Sequence, residues 1–278
     1  MISETEKPMV KNHVENKNWR EIDPVYWHSP HLNEPLQKRV LSSDPETGAM
    51  TSIVDFPKKT YSDQVLAANC ELQIFVLEGE LQLDNIHLKP GDYCYYPENS
   101  AHGKWQAEEN TRFILITSKE LEFYTPQKIT PDKRAKRHVD SWAMEWTNPL
   151  DASDPSQPYR QGLMVKVLHT NKDTGASTHL AGLMPGWYAH GLEVHPIFEE
   201  NYCLSGDVNI GEVDGGDGYT MTEGCYLCRP PGIPHGPISS KNGNVNFCYT
   251  PGILGIDYEP IENDEAYIFS HLRSYPWR

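Results

Sequence analysis

The chain has 278 residues, enough for one large domain or two small ones at roughly 100–200 residues each. Its 39 acidic residues outnumber its 24 basic ones for a formal net charge of −15, which argues against a duplex nucleic acid or anionic membrane partner and for small molecules. With 38% apolar residues, 10% aromatic residues and 22 prolines, it is neither disordered nor a coiled coil, and many short strands joined by turns are expected.

The opening MISETEKPMVKNHVENKNWREIDP is polar and lacks a signal-peptide core, and no run approaches the roughly 18–20 apolar residues of a membrane span, so a cytoplasmic chain is expected. Residues 1–34 read as an N-terminal extension. From there the chain is written twice. QKRVLSSDPETGAMT, ending at Thr51, matches MVKVLHTNKDTGAST, ending at Thr178, at an offset of 127 that pairs Val40 with Val167, Gly48 with Gly175 and Ala49 with Ala176. The same offset pairs Trp19 with Trp146, and Leu77 and Gly79 with Leu204 and Gly206 in two alternating apolar segments, each stopped by a turn glycine. GDYCYYPENSAHG then lies over GCYLCRPPGIPHG at an offset of 133, matching Gly91 with Gly224, Pro97 with Pro230, His102 with His235 and Gly103 with Gly236. The six extra residues fall in the glycine-rich GEVDGGDG, a hairpin loop that takes insertions cheaply.

Each copy is a set of short strands punctuated by Gly and Pro, which points to two small all-β jelly rolls or barrels at 35–125 and 155–260. Residues 126–154, with the basic run KRAKRH and the start of a proline-rich stretch, read as a linker containing one short helix. Residues 261–278 read as an aromatic tail that packs. Cys70, Cys94, Cys203, Cys225, Cys228 and Cys248 are too scattered for a disulfide framework and are expected as buried thiols.

In the second copy Glu193, His195 and Glu199 have even spacing and so share one face while the strand persists. From the paired strand PPGIPHG presents His235 beyond a Pro and Gly turn, a rigid support for an imidazole. Two histidines with a carboxylate and an open position are the arrangement of non-haem Fe(II) oxygenases. In the first copy Leu66, Ala68 and Leu72 occupy the positions of Glu193, His195 and Glu199, so His102 stands without those partners and is expected as a hydrogen-bonded core or rim residue.

These residues resemble the cupin superfamily, whose first motif has the form G-x5-HxH-x3,4-E-x6-G and whose second has the form G-x5-PxG-x2-H-x3-N. Gly224, Pro230, Gly232 and His235 match the second, with Ser239 in place of the usual Asn; His195, Glu199 and Gly206 match the end of the first, with Glu193 in place of the first His. The resemblance implies a bicupin, two tandem cupin domains of which only the second binds metal. Its inferred ligands are Glu193, His195, Glu199 and His235, with His190 in reserve. One divalent ion per chain is implied, Fe(II) ahead of Mn(II) or Zn(II), in a homodimer acting on a small molecule.

Cupins include dioxygenases, isomerases, lyases, amidohydrolases, storage proteins and anti-sigma-type regulators. A dioxygenase acting on a diketone, phenol or similar enolisable compound is the first expectation. A redox-neutral lyase, isomerase or aminohydrolase and a noncatalytic metal sensor are the alternatives. Glu193 as base, Arg229 as a bidentate clamp for a substrate carboxylate or an outward ion pair, and Tyr202 as a proton carrier are the catalytic candidates.

Overall fold

A computed structural model describes residues 10–148, 162–189, 191–211 and 218–254, with the backbone alone of 257–259. The expected tail 261–278, the end of the linker and His190 lie outside the described residues. Among those described there is no α-helix, only a 3-10 turn at Trp19–Glu21, and no helix is long and apolar enough to cross a membrane.

The strands fall in two compact units, one of Ile22–Asp140 with the residues before His13, the other of His13–Glu21 with the residues from Ser141 on. Strand β1 (Val14–Asn18) therefore goes with the second unit although it opens the chain. The first unit carries β2 (Val25–Trp27), β3 (Leu36–Ser43), β4 (Met50–Phe56), β5 (Leu66–Ala68), β6 (Leu72–Glu78) and β7 (Leu81–Leu83). It continues with β8 (Ile86–Leu88), β9 (Asp92–Tyr96), β10 (Ala101–Gly103), β11 (Trp105–Gln106), β12 (Thr111–Thr117), β13 (Phe123–Tyr124) and β14 (Lys136–Asp140). A seven-stranded sheet in the order β14-β9-β6-β12-β4-β3-β2 is accompanied by two three-stranded ones, β10-β5-β13 and β11-β7-β8.

In the second unit come β15 (Leu163–Thr170), β16 (Gly175–Leu183), β17 (Tyr188–Ala189), β18 (Leu192–Val194), β19 (Glu199–Ile210) and β20 (Tyr219–Thr222). They are followed by β21 (Cys225–Arg229), β22 (Ile238–Ser239), β23 (Asn244–Gly252) and β24 (Asp257–Glu259). The main sheet runs β1-β21-β19-β23-β16-β15, and β18 pairs with β24.

The internal repeat reappears strand by strand: β3, β4 and β6 correspond to β15, β16 and β19 at the offset of 127, and β9 and β12 to β21 and β23 at 133. Gly79 and Gly206 match because both need positive φ and both lie where an added Cβ would strike a carbonyl oxygen, that of Asn110 or of Gly243. Two sequence expectations change. The segment Lys136–Asp140, read as linker with a helix, is strand β14, antiparallel to β9, because an edge strand there completes the sheet. The match of Trp19 with Trp146 is not structural: Val25 lies opposite Lys38 and Thr147 opposite Val165, so this segment runs at an offset of 122.

The interior of the first unit is filled. Leu66, Ala68 and Leu72 are buried in one apolar cluster with Trp105, Phe113 and Phe123. His102 is buried among these rings; the Trp105 indole N–H donates to its Nδ1 at 2.8 Å, which leaves the ring proton on Nε2 facing aromatic neighbours. Burial pushes its pKa from 6.5 down to about 3. The unfolded chain takes up this proton near 6.5 and the folded one resists it to about 3, so stability from this group is whole above 6.5 and is lost as pH falls through that window. In denaturant titrations, wild type should therefore lose about 1.4 kcal/mol more per pH unit than His102→Gln within the window, and parallel slopes would refute this account of His102.

Candidate metal centre

The second interior is the first with its bulk removed. Carrying the offsets around the barrel, Ile238 stands for Trp105, Ala181 for Val54, Asn246 for Phe113 and Asn201 for Ile74. What opens is a cavity of about 650 Å³ lined by these four residues, by aliphatic side chains such as Leu163, Val165 and Leu227, and by Glu193, His195, Glu199 and His235.

The four candidate side chains converge for identifiable backbone reasons. Glu193 and His235 face each other across an antiparallel bridge, each amide donating to the other's carbonyl at 2.8 and 3.1 Å, which places both side chains on one face. His195 follows Glu193 by two residues and is fixed by the Gly232 amide donating to its carbonyl at 2.9 Å. Glu199 opens β19 directly opposite Arg229 on β21.

The resulting distances from the imidazole Nε2 atoms are 3.5 Å for His195 to Glu199, 3.3 Å for His235 to Glu199, and 4.0 and 3.9 Å for the same two rings to Glu193. Bonds of roughly 2.0–2.2 Å to a common ion put ligand atoms about 3 Å apart when cis and about 4 Å apart when trans, so this donor set fits a metal ion. Glu193, His195 and His235 already offer one donor atom each within 4.8 Å of one another. The Nδ1 of His235 donates to the carbonyl of Ile233 at 3.2 Å, so its lone pair on Nε2 points at the site. Burial pushes the pKa of His235 down to about 4, which keeps it neutral and able to ligate. For Glu199, burial acts to raise the pKa but is outweighed by His235, His195 and Arg229, which hold it down at about 2.

Arg229 does not wait for a substrate. Its Nε and Nη2 donate to the two oxygens of Glu15 at 2.8 and 3.0 Å, its Nη1 to Glu199 at 3.2 Å, and its Nη2 also to the Tyr219 hydroxyl at 2.5 Å. Tyr219 in turn donates to Glu15. The carboxylate-clamp expectation for Arg229 is thereby corrected to an inward ion pair, since two protein carboxylates already occupy its fork. Burial tends to raise the pKa of Glu15, and the Arg229 charge and hydrogen bonds bring it below the usual value. Tyr202 is also corrected: three residues beyond Glu199 on β19, it falls on the opposite face and is buried away from the cavity.

Glu15 was invisible in the sequence because it lies 214 residues from Arg229 and reaches it only through the pairing of β1 with β21. His179, Asn201 and Asn246 also line the cavity and were missed. The signal for them lay in the repeat, which sets Ser52, Ile74 and Phe113 at the same positions.

A family model described as "Domain of unknown function (DUF4437)" matches residues 11–255, and the chain belongs to that family. No curated protein matches its sequence. Among solved structures, a candidate dioxygenase from Nostoc punctiforme superposes with a TM-score of 0.77 at 19% identity, covering 94% of this chain and 90% of that one. A protein from Pseudomonas aeruginosa described as glyoxylate-induced gives 0.58 at 19% identity, covering 85% and 84%. Oxalate decarboxylase from Bacillus subtilis gives 0.55 at 13% identity, covering 98% and 85%. At these identities the similarity shows the fold, which is that of the cupins.

His195→Ala and His235→Ala should each reduce bound metal well below one equivalent per chain by elemental analysis while His102→Ala leaves it unchanged; two equivalents in wild type would contradict a site confined to the second unit. If Arg229 orients Glu199, Glu15→Gln should weaken metal affinity by about 10–100-fold in chelator competition, and an unchanged affinity would show that Arg229 holds Glu199 without help from β1.

Proposed function

We propose that this member of the DUF4437 family is a metal-dependent cupin enzyme, a dioxygenase holding one divalent ion per chain through Glu193, His195, Glu199 and His235 and acting on a small enolisable compound. The observation that carries this reading is the convergence of two imidazoles and two carboxylates on a cavity that the first copy of the same strand pattern fills with apolar side chains. The donors are nitrogen and oxygen with no thiolate among them, which suits Fe(II) first and Mn(II) or Zn(II) next. Bound there, such an ion supplies Lewis acidity toward an enolate and, if redox-active, electrons for reduction of O2.

The chain's own residues divide the remaining work. His195, His235 and Glu199 form the firm set, Glu199 being anchored by Arg229. Glu193 is the outlying member, farther from both imidazoles and with a side chain 15% exposed against 4–12% for the others. Its carboxylate would accept the proton of an enolisable substrate. Much of the cavity wall is aliphatic. A redox-neutral lyase or isomerase is the second reading, and one observation favours it: Glu193 already stands within 4.0 Å of both imidazoles, where as a fixed ligand it would take a position that O2 requires.

Fe(II)-loaded protein incubated with a panel of diketones and phenols in an oxygen electrode should consume O2 with at least one of them. Turnover that persists under strict anaerobiosis would replace the dioxygenase by the lyase or isomerase.

A further inference from the structure

Beside the four donors the cavity wall carries a second set of polar side chains. Strand register places His179 on β16 opposite Cys248 on β23, and Cys248 opposite Asn201 on β19, so His179 and Asn201 share one row about 10 Å wide, two strand spacings, across the sheet. Asn246, two residues from Cys248, shares its face in the next row. Asn201 is likewise two residues from Glu199, so this row begins where the ligand set ends.

Neither the imidazole nor the two amides are needed to build the barrel, because the first copy folds with Ser52, Ile74 and Phe113 at the same positions, each fully buried. Nor are they used up internally. The Oδ1 of Asn246 is buried without a hydrogen-bond partner among the described residues, and His179 has only the Ser177 hydroxyl, 3.4 Å from Nδ1. Unsatisfied polar atoms on the wall of a cavity are positions for ligand atoms.

The charges on this wall restrict the ligand. The charged residues lining the cavity are Glu193, Glu199 and Arg229, and every nitrogen of Arg229 already donates to Glu15, Glu199 or Tyr219. Burial pushes the pKa of His179 down to about 4, so it adds no positive charge near neutral pH. Among the described residues, none on the wall would neutralise a second anionic group.

We propose that His179, Asn201 and Asn246 form the specificity wall of the site, selecting a small substrate whose end remote from the metal is an uncharged hydrogen-bonding group, a hydroxyl, carbonyl or amide, and rejecting one that ends in a carboxylate. This rests on the metal-site reading above. Amide side chains and a neutral imidazole offer both donors and acceptors, which suits such groups and leaves a carboxylate desolvated without a counter-charge.

The test uses three catechols with a common chelating end, titrated calorimetrically into Zn(II)-loaded protein: 4-(hydroxymethyl)catechol, 3,4-dihydroxybenzoate and 4-ethylcatechol. Zinc content is measured on the same samples. The hydroxymethyl compound should bind about tenfold or more tighter than the other two. That preference should shrink to about twofold in His179→Ser and in Asn246→Leu, with zinc still at one equivalent. The proposal is overturned for the wall alone if fully loaded protein binds the benzoate or the ethyl compound best, binds none of the three, or keeps its preference in both variants. A wild type that takes up no zinc overturns the metal-site reading and this inference together.

Discussion

The candidate site of the second unit is built around a buried, ionised carboxylate. Glu199 sits between two imidazoles and the Arg229 guanidinium, and it remains charged although burial opposes that. A lone carboxylate in such a place would protonate or unfold its surroundings. The countercharge comes from Arg229, whose own burial is tolerated because Glu15 and Tyr219 satisfy the rest of its fork. The N-terminal strand β1 thus contributes to the site by completing a three-residue ion network, and the order of strands β1-β21-β19 is also the order Glu15, Arg229, Glu199.

The two copies show how one barrel can be specialised without changing its strands. In the first, aromatic and aliphatic side chains meet at the centre, and His102 survives as a neutral core residue bonded to Trp105. In the second, exchange of Trp105 for Ile238 and of Phe113 for Asn246 vacates space that becomes part of the cavity. Such truncations cost stability where the space stays empty, typically about 3–5 kcal/mol for a buried Trp or Phe reduced to Ala. The first barrel, filled throughout, carries no such cost.

Much of this was legible in the residues themselves. The repeat gave the doubled strand pattern because its markers, Gly79 and Gly206 or Gly91 and Gly224, all take the positive φ that favours glycine, and at Gly79 and Gly206 an added Cβ would also strike backbone. Glu193, His195, Glu199 and His235 could be picked out because period-two spacing and a Pro and Gly turn determine where side chains point. Arg229 was recognised but misread, since a sequence does not disclose that Glu15 would reach it from 214 residues away. Tyr202, a candidate proton carrier by residue type, lies an odd number of residues from Glu199 on β19 and so is turned away from the cavity. The strand at Lys136–Asp140 was hidden because its side chains are mostly exposed, so it lacks the apolar alternation that marks a strand.

The proposed metal site brings two imidazoles and carboxylate oxygens of the second unit onto a single ion. X-ray absorption at the metal edge of the loaded protein addresses it most directly, because imidazole rings add a distinctive outer-shell scattering and sulfur a longer, stronger first shell. A first shell of nitrogen and oxygen alone is expected, with two imidazoles that fall to one in His235→Ala. A sulfur ligand, or a spectrum without histidine scattering, would contradict it.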